Sequence, residues 1–184
     1  NKTSSVKAGQ HKLCLTEIQF LNLYWDPKVV KNPQVVYIGA AEGFHFTVLS
    51  ELFPMVRFHL YDPVEEEGRD FYEPLNSISN ITIYRKLFDD EDIKKWSGRS
   101  DVFLISDIRN ITYDNDTTGK DNQFNIDNEK MVKADMAMQR MWVESIKPVR
   151  AHLKFRLPFS WKFITDKQDH EVYLDGDLYL QPWT

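Results

Sequence analysis

Short apolar runs alternate with helix-periodic segments along most of this chain, an order that leaves few architectures open. Gln34–Ile38, Val56–Tyr61, Ile81–Tyr84 and Val102–Ser106 read as strands. Lys12–Trp25 carries Cys14, Ile18, Leu21 and Trp25 at helical spacing, and Phe44–Phe53 reads as a helix stopped by Pro54. Asp89–Trp96 opens on acids and closes on Lys94 and Lys95, matching a helix dipole, and Glu129–Ile146 resumes the helical period. Such an order predicts an α/β fold with a mostly parallel sheet, and 184 residues, 42% of them hydrophobic, suit a single domain over 1–184. The polar stretch Asn110–Asn128, rich in Asn, Asp and Thr, reads as a long loop. Glu171–Leu180 reads as a C-terminal hairpin turning at Asp175-Gly176.

No stretch approaches the roughly 18 uninterrupted apolar residues of a membrane span, so no membrane partner is expected. The lone Cys14 cannot form an internal disulfide or a multi-thiolate metal site. No metal is expected, and the chain reads as intracellular, hence cytoplasmic. Net charge is −5, yet the five bases Lys147, Arg150, Lys154, Arg156 and Lys162 stand together without an acid between Ser145 and Lys162. In Val149–Arg156 the alternation is complete: Val149, Ala151, Leu153 and Phe155 share one face, and Arg150, His152, Lys154 and Arg156 the other. Either the basic face opens towards an anionic ligand or the strand lies at an edge and uses its bases against aggregation.

Val35-Val36-Tyr37-Ile38-Gly39-Ala40-Ala41-Glu42-Gly43 puts small residues where the first strand passes towards a helix, the place at which open α/β sheets bind ligands. Gly39 and Gly43 would let a ligand approach the backbone, but GxGxxG is absent, as is a P-loop lysine. Asp62, ending the second strand, is positioned to accept from ribose hydroxyls, a role shared by nicotinamide and S-adenosylmethionine sites. Asp107 follows the fourth strand at the same sheet edge, and a carboxylate there needs a partner, which Lys154 would supply. A lysine held near Arg150, Arg156 or Lys12 would have its ammonium form disfavoured and would suit a general base; a plain structural ion pair is the alternative.

Five ordered segments then resemble the poxvirus-type cap-specific mRNA nucleoside 2′-O-methyltransferase, which is also the processivity subunit of viral poly(A) polymerase. They are Gly9-Gln10-His11-Lys12-Leu13, Val35–Gly39, Ile105-Ser106-Asp107-Ile108-Arg109, Leu153-Lys154-Phe155-Arg156 with Pro158-Phe159, and Leu180-Gln181-Pro182. The resemblance implies a Rossmann-like, S-adenosylmethionine-dependent methyltransferase sheet of the ribosomal-RNA-methyltransferase type. It implies catalytic roles for Lys12, Asp107 and Lys154, and cofactor contacts for Gln10, Tyr37, Gly39, Gly43, Asp62, Phe88 and Arg109. Phe159 matches an aromatic that stacks on the cap base, while Arg150, Arg156 and Lys162 would hold RNA phosphates. Two positions depart from the pattern: Val64 replaces an arginine near the cofactor, and Trp161 stands where an acid would read the cap. The family's fourth catalytic residue, a glutamate on a strand after the Gln-Pro segment, has no match, which implies a domain truncated at its carboxyl end.

The implied cofactor is S-adenosyl-L-methionine, and the implied partners are capped mRNA and the catalytic subunit of a viral poly(A) polymerase, in host cytoplasm or virion. Two rivals stay open. A non-catalytic RNA-binding or processivity module would keep the fold without turnover, and a nicotinamide-dependent oxidoreductase would explain Asp62 but not the lysines.

Overall fold

A computed structural model describes residues 2–64, 69–110, 122–156 and 173–178; for 2–11 and 122–127 it describes the backbone alone. The elements run α1 (Lys2–Tyr24), β1 (Gln34–Ile38), α2 (Phe46–Leu52), β2 (Arg57–Tyr61), a 3-10 turn (Glu73–Ser77), β3 (Ile81–Tyr84), α3 (Asp90–Trp96), β4 (Val102–Ser106), α4 (Asn122–Ile146) and β5 (Arg150–Leu153). The strands form one sheet in the order β3-β2-β1-β4-β5, and every pairing is parallel. This is the α/β architecture that the sequence order predicts.

β1 and β4 are buried on both faces, so each reads as a continuous apolar run and sends alternate residues to opposite layers. Val35, Tyr37, Phe103 and Ile105 pack with Phe20 of α1 and with Phe46 and Leu49 of α2. Val36, Ile38, Val102 and Leu104 pack with Trp96 of α3 and with Trp142 and Ile146 of α4. At about 1.5–3 kcal/mol for each fully buried large side chain, these two layers fix which helix covers which face. α3 needs more than burial to start: Asp89 accepts from the backbone N–H of Glu91 and Asp92, and Asp92 returns a bond to Asp89 N–H, a complete capping box.

Three segments differ from the sequence expectation. α4 begins at Asn122, inside the stretch expected as a loop, because a helix anchored by later buried turns propagates through polar residues at little cost. β5 ends at Leu153, since beyond the Lys154 N–H bond to Ser106 the described part of β4 offers no further ladder partner. Residues 173–178 form a bend without strand pairing. The Tyr173 hydroxyl donates to Met136 C=O of α4 (2.8 Å), and the Tyr24 hydroxyl of α1 donates to Asp177 (2.9 Å), so this segment is tied to helices. The remainder of the expected hairpin lies outside the described residues.

Candidate active site

The chain leaves β1 for β2 on one side and returns through β4 on the other, so the crevice at their carboxyl ends is the switch point of the sheet. Gly39 N–H and Ala40 N–H both donate to Tyr61 C=O (2.9 and 3.3 Å), folding the loop after β1 towards β2. Asp62, only 8% exposed, accepts from Ala41 N–H at 2.8 Å and steadies Ala41 at φ +50°, where an L-residue seldom stands.

Both loop glycines serve the protein's own packing. At Gly39 (φ +84°) a Cβ would lie 3.1 Å from both the Asp107 carbonyl carbon and the Ile108 nitrogen. At Gly43 (φ +70°) it would lie 3.0 Å from Leu75 and 3.2 Å from Phe46. The first glycine therefore lets the backbone of Asp107 come close, while Asp107 N–H donates to Ile38 C=O at 2.9 Å.

Asp107 and Lys154 meet. Lys154 Nζ stands 2.6 Å from Asp107 Oδ1, with the carboxylate mostly covered and the amine partly open to solvent. Burial pushes the Asp107 carboxyl above its ordinary range, Lys154 opposes that push, and the negative charge of Glu17 adds to it. Glu17 itself is fully enclosed. It accepts from the Tyr37 hydroxyl at 2.7 Å and lies 3.1 Å from His45 Nε2. Burial, with Glu17 next, holds the Tyr37 phenol well above its usual value. Tyr37, expected as a cofactor contact, thus has its ring in the core and its hydroxyl beneath the site.

α1 carries Lys12 towards the same edge. The Arg150 guanidinium lies over the Tyr24 ring (5.9 Å), and His152 stacks on Phe20 (5.3 Å). One turn of α1 therefore runs against two residues of β5, the spacing that an antiparallel helix on a strand gives. Half-buried Lys12 lies about two turns before Phe20 on α1.

The basic face of β5 is engaged inside the protein, not uniformly turned to a ligand as one reading expects. Besides covering Tyr24, Arg150 donates to Val149 C=O (2.8 Å) and stays exposed; Lys154 pairs with Asp107, and Arg156 pairs with Glu129 of α4. Burial lowers the His152 imidazole. β5 is the outermost strand among the described residues, and its bases there serve packing and pairing.

Phe88 meets Tyr61 and Trp142 edge to face at 4.9 and 5.5 Å, while Arg109 is half-buried just after Asp107. Val64 is fully buried. Gln10 lies in the part of α1 described by its backbone alone, and Phe159, Trp161 and Lys162 lie outside the described residues.

Four polar residues escaped the sequence reading: Glu17, His45, Asp135 and Gln139, all buried. Asp135 accepts from Asn110 N–H (2.9 Å) and Asn110 Nδ2 (2.8 Å), and Gln139 bonds both backbone groups of Lys154. Their signal was present. Asp135 and Gln139 interrupt the stripe Val132, Trp142, Ile146 at helical spacing, as Glu17 interrupts Cys14 and Leu21. A polar residue inside a buried stripe needs a partner, and here the partners are the site.

The chain is 30% identical over 181 residues to the cap-specific mRNA (nucleoside-2′-O-)-methyltransferase of fowlpox virus (strain NVSL), covering 95% of this chain and 53% of that protein. It is 28% identical over 183 residues to the proteins of the same name from myxoma virus strains Lausanne and Uriarra, covering 95% of this chain and 48% of each. The chain spans about half the length of the curated relatives it matches. The family described as poly A polymerase regulatory subunit matches residues 1–184 in full, and the chain belongs to that family.

Proposed function

We propose that this chain carries the catalytic domain of a cap-specific mRNA methyltransferase, moving a methyl group from S-adenosylmethionine to the ribose 2′-hydroxyl of the first transcribed nucleotide. The observation that carries the reading is the Asp107–Lys154 pair, 2.6 Å apart at the switch point of the sheet. The residues there suit a sulfonium cofactor better than a dinucleotide. The loop after β1 presents Glu42, paired with Arg69 at 3.0 Å, where a dinucleotide fold would receive a pyrophosphate, and an acid repels that guest. Asp62 beside the loop would take the cofactor ribose, with Arg109 and Phe88 at the flanks.

Bound S-adenosylmethionine supplies a methyl group on a cationic sulfur. Lys154 Nζ would take the proton of the ribose hydroxyl as that oxygen accepts the methyl group. An ammonium has no lone pair to receive it. The step therefore calls on Lys154 as the free amine, with Asp107 Oδ1 2.6 Å away to hold that amine in place. Lys12 would orient the ribose from α1, and Arg150, Lys162 and Phe159 would receive phosphates and the cap.

Incorporation of labelled methyl into capped RNA tests this. Lys154→Met should lower the rate at least about 100-fold while S-adenosylmethionine affinity by calorimetry stays within about twofold. Undiminished transfer by Lys154→Met would sink the proposal. The family description favours a second role, a regulatory subunit of a poly(A) polymerase. Poly(A) extension that is stimulated equally by wild type and Lys154→Met would assign that role separately.

A further inference from the structure

We infer that Gln139 of α4 is a positioning residue that sets where the amine of Lys154 stands against Asp107; the inference rests on the catalytic reading of that pair. Gln139 is fully buried, on the face of α4 that also carries Asp135, Trp142 and Ile146. Its Oε1 accepts from Lys154 N–H at 3.2 Å and its Nε2 donates to Lys154 C=O at 3.0 Å, so one amide grips both backbone groups of a single residue. Lys154 N–H also donates to Ser106 C=O at 2.9 Å, the last ladder bond recorded between β4 and β5. Without the amide, Lys154 would be held on one side only.

The same helix holds the other half of the pair. One turn before Gln139, Asp135 grips Asn110, three residues after Asp107. Asp107 is fixed at its own N–H by Ile38 and crowded by Gly39, so its position is over-determined. Lys154 lies at the strand's end, where fewer constraints act, and its alignment depends on Gln139. Both grips come from one helical face.

The test uses the chain with carbon-13-labelled lysine, reading the Cε resonance of Lys154, assigned by its loss in Lys154→Arg. In wild type, Asp107→Asn should shift that resonance. With Gln139→Met, which removes both grips at similar volume, the response to Asp107→Asn should fall at least about threefold. Gln139→Glu, which keeps the acceptor and loses the donor, should show an intermediate loss. Cooperative thermal unfolding confirms that each variant is folded. If either folded variant responds to Asp107→Asn as wild type does, the inference is overturned. Loss of cooperative unfolding in both variants overturns it too, because Gln139 would then serve the whole fold. In the methyl-transfer assay, kcat should fall about 10- to 100-fold with KM for RNA within about twofold. If wild type transfers no methyl, the functional reading fails, yet the resonance still reports on the positioning.

Discussion

Gly39→Ala puts the packing of the candidate site to a quantitative test. The three atoms nearest a Cβ there are all main-chain: the Asp107 carbonyl carbon and Ile108 nitrogen at 3.1 Å and the Asp107 oxygen at 3.2 Å. Those atoms cannot swing aside, because Asp107 N–H is bonded to Ile38 and its carboxylate to Lys154. Forcing an L-residue to positive φ costs about 1–2 kcal/mol, and crowding a packed site adds about 1–3 kcal/mol. In a domain of this size each kcal/mol lowers Tm by about 2–4 °C, so the total of about 2–5 kcal/mol corresponds to a loss of about 4–20 °C. Gly98 supplies the control, with φ +72° and nothing within 4 Å of a Cβ. Gly98→Ala should therefore cost only the backbone part, about 1–2 kcal/mol. Thermal unfolding followed by circular dichroism at one pH compares the two. If Gly39→Ala loses no more than Gly98→Ala, the close approach of Asp107 to Gly39 is not what the glycine provides.

Asp62→Ala removes the acceptor of Ala41 N–H, and S-adenosylmethionine affinity should fall about tenfold or more in a calorimetric titration; unchanged affinity would place the cofactor elsewhere. Glu129→Gln releases Arg156, so binding of a capped oligonucleotide should tighten and its log–log salt slope should steepen by about one; an unaltered slope would show that Arg156 does not reach RNA. His59, within 2.9 Å of Gln34 Oε1, is pushed down to about 4 by burial and by Lys95, Arg99 and Arg57. The unfolded chain takes up that proton near pH 6.5 and the folded one only near 4, so acid favours unfolding across this window. Wild type should lose up to about 3 kcal/mol more than His59→Gln between those limits in denaturant titrations, and equal losses would refute the assignment.

The sheet was legible because β1 and β4 are apolar on both faces, and both helices flanking β4 carry a clear period. The Asp107–Lys154 meeting was legible too, since parallel pairing brings the ends of β4 and β5 to one edge. What the basic row of β5 faces was not. Alternation says that Arg150, His152, Lys154 and Arg156 share a face, but only the fold shows α1 lying under the first two. Glu129 is far from Arg156 in sequence, and no local pattern announces their pairing. Glycines are equally ambiguous: Gly39 and Gly43 look alike in a turn, yet one admits main chain and the other Leu75 and Phe46.

The strand order also bears on how the chain assembles during synthesis. β1, β2 and β3 are contiguous in sequence and neighbours in the sheet, so the loop after β1 and its Asp62 anchor can form from the first half of the chain. β4 must then dock against β1 across the intervening β2–β3 unit, and β5 can add only after β4, once α4 has crossed over. The charge pair of Asp107 with Lys154 is thus among the last contacts to be made. A nascent chain released before β5 would hold the loop after β1 with its Asp62 anchor and lack the partner of Asp107.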